Sequence, residues 1–234
     1  MISSRSLKMQ TIVCFILLLG ILLLETYTDI DLYLQRPWYN FENQKWLITD
    51  SMHKILTYVF YTGYKVVLGI VGFICLIQSV INYKKKNWKK FRNYFLFVFA
   101  VGLTPLFISW LKATTNIYCP DQIKEFGGRY VYQRVLEPAN PANQGEGMHR
   151  GRGFPAGHAS GAFGVMVLYF IWENRQKWYG LGLGLLLGWI TAMYQVFRGE
   201  HFMSHNFVTM IIAWQIIILL VFITDKWLEK KKAD

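Results

Sequence analysis

HASGAFGVMVLYFIW, His158–Trp172, is the stretch on which the fold turns. After its leading histidine it is apolar and uncharged. It is nevertheless short for a membrane crossing and opens with small residues, which suits a helix packed closely on its neighbours rather than on lipid. Five longer apolar segments accompany it, at approximately Met9–Tyr27, Ile55–Asn82, Tyr94–Leu111, Trp178–Phe197 and Phe207–Thr224. Counted with them it makes six. The chain, residues 1–234, therefore reads as a single all-α, polytopic integral membrane domain, a six-transmembrane-helix bundle.

Composition agrees. Hydrophobic residues make up 53% of the chain and aromatic residues 17%, too apolar for an ordinary soluble domain. Aromatic residues mark several segment ends, at Trp110, Trp172, Trp178 and Tyr179. The formal net charge of +11 does not indicate nucleic acid. The excess sits in short runs beside apolar segments, at Lys84–Lys86, Lys89, Lys90, Arg92 and Lys230–Lys232, which is the positive-inside pattern of membrane proteins. Three scattered cysteines, Cys14, Cys75 and Cys119, offer neither a disulfide framework nor a zinc spacing.

The basic runs also orient the chain. The N-terminus, the 83–93 loop, the 173–177 loop and the C-terminus carry most of the clustered Lys and Arg, so both termini are expected in the cytoplasm. The run after Arg5 and Lys8 ends in Glu25-Thr26-Tyr27 without a small-residue cleavage site, and is expected to stay as a first helix. Residues 28–54, 112–157 and 198–205 then face outward, in the periplasm if this is a bacterial inner membrane. Lys65 interrupts the second segment; it reads as a snorkelling lysine with the true span beginning after it, against a functional charge at depth.

The chain has five histidines, and His158, His201 and His205 all fall at the outward ends of segments four, five and six. His158 opens a helix after Gly153 and Gly157. Unpaired backbone N–H groups at a helix start favour an anion, and glycine lets it approach. The plainer reading is a small-residue packing helix with an incidental histidine. His201 and His205 are four apart, so a helical turn puts them on one face, where one can orient the other. Arg198 beside them can neutralise phosphate oxygens. The competing readings are an interfacial basic turn and a zinc site made from the three histidines. Lys112, ending the third segment, either snorkels or leans into the outer site.

Three motifs together resemble the phosphatidic acid phosphatase type 2/haloperoxidase superfamily, PAP2. The family pattern is Lys, six residues, Arg-Pro; then Pro-Ser-Gly-His; then Ser-Arg, five residues, His, three residues, Asp. The corresponding stretches here are Lys112 through Cys119-Pro120, Pro155-Ala156-Gly157-His158, and Gln195 through His201 to His205. The resemblance covers the third to sixth segments, a catalytic core at about residues 94–225. Cys119 stands in place of arginine, Ala156 of serine, Gln195 of arginine and His205 of aspartate. Arg198, about one turn beyond Gln195, is placed to substitute for the latter arginine. Arg152 or Arg150 is expected to supply a further cation, ahead of Arg129 and Arg134.

What the resemblance implies is phosphomonoester hydrolysis without metal or cofactor. His201 is the nucleophile, His158 the general acid and then base, and His205 the residue orienting His201. Lys112, Arg198, Arg152 and the backbone at Gly157 hold the phosphate oxygens. A bell-shaped pH profile and vanadate inhibition are expected. The implied partner is a lipid phosphate drawn from the surrounding membrane lipid: a lipid A phosphate, undecaprenyl diphosphate or a glycerophospholipid phosphate. Phosphotransfer to a second lipid, a metal-dependent hydrolase and a non-enzymatic lipid-binding protein are the rival readings. No feature of the sequence sets an oligomeric state.

Overall fold

Five helices are long and apolar enough to cross a membrane: Ser4–Tyr27, Asp50–Lys84, Trp88–Thr114, Gln176–Val196 and Met203–Lys231. They come from a computed structural model that describes residues 4–233, with the side chain of Lys232 in the last basic run outside the described set. In chain order the elements are α1 (Ser4–Tyr27), α2 (Ile30–Gln35), the paired strands β1 (Tyr39–Asn40) and β2 (Lys45–Trp46), α3 (Asp50–Thr57), α4 (Tyr64–Lys84), α5 (Trp88–Thr114), α6 (Ser160–Gly164), α7 (Leu168–Ile171), α8 (Gln176–Val196) and α9 (Met203–Ala233). A π-helical turn, Tyr58–Gly63, joins α3 to α4 so that the two run on as one span. The protein is an all-α integral membrane bundle.

The expected fourth segment, His158–Trp172, is shorter than the other five. Its helical part is Ser160–Ile171, interrupted by a 3₁₀ turn at Val165–Val167. At 1.5 Å per residue that is roughly 18 Å, short of the ~30 Å hydrocarbon core. The segment survives because it meets protein instead of lipid. Ala162, Phe163, Gly164, Val165, Met166 and Val167 are all buried. A Cβ on Gly184 would lie 2.4 Å from the Met166 nitrogen, and one on Gly188 2.2 Å from the Phe163 ring. Glycine on α8 is thus what allows α6–α7 to pack at backbone distance. On the other side a Cβ on Gly164 would lie 2.8 Å from the Ala100 carbonyl of α5.

The two ends of the bundle differ in chemistry. At one, the Arg92 guanidinium binds both carboxylate oxygens of Asp225 and donates to the Phe170 carbonyl at 3.0 Å, tying α5, α9 and α7 together. Tyr83, Phe91 and Trp227 stack beside it. The clustered lysines at 84–90 flank this end. At the other end, the three segments expected to face outward fold on one another as a cap. Tyr39, Tyr118, Ile123, Phe126, Tyr130 and Phe202 form its aromatic core. The Ile48 N–H donates to the Phe197 carbonyl at 3.1 Å.

Candidate active site

Three short backbone stretches are laced together beneath the cap. The Thr115 hydroxyl donates to the Phe154 carbonyl at 2.5 Å, and the Gly153 N–H to the Ile117 carbonyl at 2.6 Å. A Cβ on Gly153 would lie 2.8 Å from the Tyr118 carbonyl, so glycine is required there. On the far side the Ala156 N–H donates to the His205 carbonyl at 3.3 Å. The Thr209 hydroxyl bonds the carbonyls of both Ala156 and His205, at 2.8 and 3.0 Å. Residues 115–119, 153–158 and the start of α9, far apart in the chain, therefore form one scaffold.

On that scaffold the His158 Nδ1 lies 3.0 Å from the His201 Nε2. His158 sits in a turn two residues ahead of α6, and His201 two residues ahead of α9. His158 is half-buried and His201 has no exposed surface. Burial first, and then the charges of Lys112, Lys65 and Arg198, push the His158 imidazole down to about 3. Burial, followed by His158 and Lys112, holds His201 well below the usual histidine range. Burial thus favours the uncharged form of both rings, and in that form one ring nitrogen donates across the contact and the other accepts.

A family model, PAP2 superfamily, matches residues 93–229. The chain belongs to the PAP2 superfamily. No curated protein and no solved structure matches it. Members of the superfamily are generally phosphatases, and the motif positions of this PAP2 chain can be followed into the structure.

Lys112 lies against the loop of His158: a Cβ on Gly157 would be 4.0 Å from its Nζ. Cys119, at the family's arginine position, is buried, and burial first and Asp121 second push its thiol up, so it carries no charge at neutral pH. Arg198 lies 3.4 Å from Glu200 and over the Tyr194 ring at 6.0 Å. It lines a polar outer cavity of about 460 Å³ with Trp46, Asp121 and Glu200. Arg152 is exposed and acts on Lys112. Arg150 instead donates to the Thr114 and Thr115 carbonyls at 2.5 and 3.3 Å, capping α5. Arg134 pairs with Asp29 and Glu137.

Two expectations change. His201 lies before the first residue of α9, so the one-face argument for His201 and His205 does not hold. The His205 Nδ1 donates to the Gly153 carbonyl at 3.0 Å, and its ring centre lies 6.1 Å from that of His201. His201 Nδ1 is buried and makes no well-aligned hydrogen bond among the described residues, with the Gly153 backbone beside it. The three imidazoles lie in a row, with ring centres 5.1 Å apart from His158 to His201 and 6.1 Å from His201 to His205, and among the described residues no three His, Cys, Asp or Glu side chains are grouped to hold a metal ion.

Other neighbours of the site were not visible in the sequence. The Tyr64 hydroxyl donates to the His158 carbonyl, and the Tyr61 ring centre lies 5.2 Å from the His158 ring. Asp31, in the first turn of α2, is buried and accepts hydrogen bonds from the backbone N–H (3.1 Å) and the hydroxyl of Ser204 at the start of α9. Gln195 is buried with both amide atoms unpaired among the described residues.

Proposed function

We propose that this chain is a metal-independent phosphatase acting on a lipid phosphomonoester, or diphosphate, through a phosphohistidine on His201. The observation that carries the reading is the 3.0 Å contact between His158 Nδ1 and His201 Nε2 beside Lys112. The two nitrogens face each other, one able to attack phosphorus and the other to move a proton.

In the working scheme His158 holds the shared proton, leaving His201 Nε2 with a free lone pair. The substrate phosphate parts the pair, because in-line displacement needs nucleophile and acid on opposite sides of phosphorus. Nε2 bonds to phosphorus, the P–O bond to the lipid breaks, and His158 protonates the departing alkoxide. Water then enters; His158 takes its proton, its oxygen bonds to phosphorus, and the P–N bond breaks to free phosphate. Lys112, Arg198, Arg152 and the Gly157 backbone neutralise the oxygens, the largest part of phosphoryl-transfer catalysis. A dianion arriving among these cations raises the His158 pKa from its low resting value, so His158 takes up a second proton from solvent, protonates the alkoxide as an imidazolium and returns to the neutral ring that later accepts the proton of water. His205 holds the Gly153 carbonyl in place.

The finer reading is a bacterial inner-membrane enzyme with a catalytic core at about residues 94–225, cytoplasmic termini and a periplasmic site. It is supported by the lysine clusters at the end of the bundle away from the histidines. Lipid A phosphate is the first candidate substrate, with undecaprenyl diphosphate and phosphotransfer to a second lipid next. The test is phosphate release by the purified chain from a panel of lipid phosphates, with and without EDTA. Activity persisting in chelator is expected, and loss that zinc restores rejects the scheme. His201→Ala is expected to be inactive. His158→Ala is expected to accumulate the phosphoenzyme from labelled substrate; full activity in both variants rejects the assignment.

The buried His201 Nδ1 without a well-aligned hydrogen bond, with uncharged Cys119 and Gln195 at two cation positions, favours a second reading: a lipid-phosphate binder without turnover. Vanadate bound with no phosphate released from any lipid identifies it.

A further inference from the structure

Lys65 lies well inside the long span formed by α3 and α4, before the stretch that the PAP2 family model matches. Its exposed side chain reaches back one turn toward the Asp50 end of the span. It sits over the Tyr61 ring, 3.5 Å from the centroid. Tyr61 in turn is 5.2 Å, ring to ring, from His158, and Tyr64 holds the His158 carbonyl. Residues 61, 64 and 65 share one helical face, and that face is turned on the histidine pair. Tyr61 lies in the π-helical turn Tyr58–Gly63, which runs directly into Tyr64 and Lys65 and is a local widening often found at functional sites.

Among the described residues no carboxylate forms an ion pair with Lys65. An ammonium on a membrane-spanning helix without a counter-anion is poised for an anionic ligand. Lys65 and His158 also line one cavity of about 530 Å³ between α4 and α5. Away from Lys65 its walls are apolar and glycine-rich: Gly69, Gly72 and Gly102 have nothing within 4 Å of where a Cβ would be. An anion-binding end joined to an open apolar trough fits a phosphate carrying a hydrocarbon chain.

We propose that Lys65 is a phosphate-binding cation of this site, and that the α4–α5 cavity beneath it takes the hydrocarbon chain of the lipid. The assignment rests on the phosphatase reading for the identity of the ligand. It gives the site a positive charge from outside the family core where Cys119 has removed one. The charge of Lys65 also falls on His158, together with those of Lys112 and Arg198.

The test uses the whole purified chain with orthovanadate as the binding probe, p-nitrophenyl phosphate as a soluble ester and dioleoyl phosphatidate in mixed micelles. Lys65→Met is expected to weaken vanadate binding and raise KM by about tenfold, the loss of one charge-assisted contact. Lys65→Arg restores both to within about threefold. Lys65→Met also moves the alkaline limb of kcat/KM upward, because His158, which must be protonated to act as the acid, then faces Lys112, Arg198 and His201 without Lys65. Gly102→Phe lowers turnover of dioleoyl phosphatidate more than that of p-nitrophenyl phosphate. Lys65→Met matching the wild type in vanadate affinity, KM and pH limb overturns the cation assignment while hydrolysis stands. Equal losses on both substrates in Gly102→Phe overturn the chain cavity. If no substrate is hydrolysed yet Lys65→Met still weakens vanadate binding, the hydrolytic reading fails and Lys65 keeps its role.

Discussion

His201 and His205 are four residues apart, yet their imidazoles do not bond. The His205 Nδ1 is taken by the Gly153 carbonyl at 3.0 Å, the ring centres are 6.1 Å apart, and the buried His201 Nδ1 makes no well-aligned hydrogen bond among the described residues. Gly153 in turn is held to the Ile117 carbonyl at 2.6 Å, so His205 braces the loop of His158 rather than the ring of His201.

A carboxylate at position 205 would give the His201 Nδ1–H an acceptor and stabilise the positive charge that the ring carries while Nε2 is bonded to phosphorus. His205→Asp is therefore expected to raise kcat by roughly tenfold, the usual scale for a supporting residue behind a functional imidazole. His205→Asn, neutral and similar in size, is expected to give no gain. Phosphate-release kinetics checks this, alongside thermal unfolding in detergent. A folded His205→Asp chain no faster than the wild type means that Nδ1 needs no acceptor.

Stability should fall on acidification. The His158 pKa is about 3 in the folded chain against about 6.5 unfolded, and His201 is lowered in the same direction. Their contribution is complete above the unfolded value and is lost as pH drops from 6.5 toward 3. Asp31 works the other way. Burial raises it to about 6 despite its bonds from Ser204, so its contribution grows as pH falls through 6. The melting temperature is expected to fall between pH 6.5 and 4, and more steeply in Asp31→Asn. A flat profile in both chains contradicts the neutral histidine pair.

Asp31 reaches α9 from the first turn of α2 and binds the backbone N–H and hydroxyl of Ser204, in the turn that follows His201. Removing it frays the start of the helix on which the site is built. Asp31→Ala is expected to cost roughly 2 kcal/mol, a lost cap made by a buried charged acceptor. Asp31→Asn should cost less, because its amide oxygen still accepts. Chemical or thermal unfolding in detergent reads the difference, and an Asp31→Ala chain with the wild-type midpoint refutes it.

Gly184 carries the tightest backbone contact between α8 and the short α6–α7 segment. A Cβ there would be 2.4 Å from the Met166 nitrogen, which cannot rotate away. Gly184→Ala is expected to destabilise by roughly 1–3 kcal/mol through overpacking. Gly20→Ala on α1, with nothing within 4 Å, is expected to be neutral or slightly stabilising. Melting temperatures of the two variants separate them; equal values would mean the bundle can spread.

The sequence by itself determined the all-α membrane architecture. Transferring an apolar run into lipid is a local free-energy question, settled by some twenty neighbouring residues. It also marked Lys112, His158 and His201 as residues to watch, because their spacing follows a family pattern that survives even where Cys119, Ala156, Gln195 and His205 depart from it. The tertiary structure alone decided which partners these side chains take. His158 and His201 are 43 residues apart in the chain and meet at 3.0 Å; Asp31 and Ser204 are 173 apart and bond. Arg150, one of two arginines expected at the phosphate, instead caps α5, while Lys65 lies over Tyr61 and lines one cavity with His158. A charged or imidazole side chain accepts several partners equally well in isolation. Only long-range packing sets which one lies within hydrogen-bond reach, and here glycine contacts on α8, a π-helical turn before α4 and three interlaced loops set it.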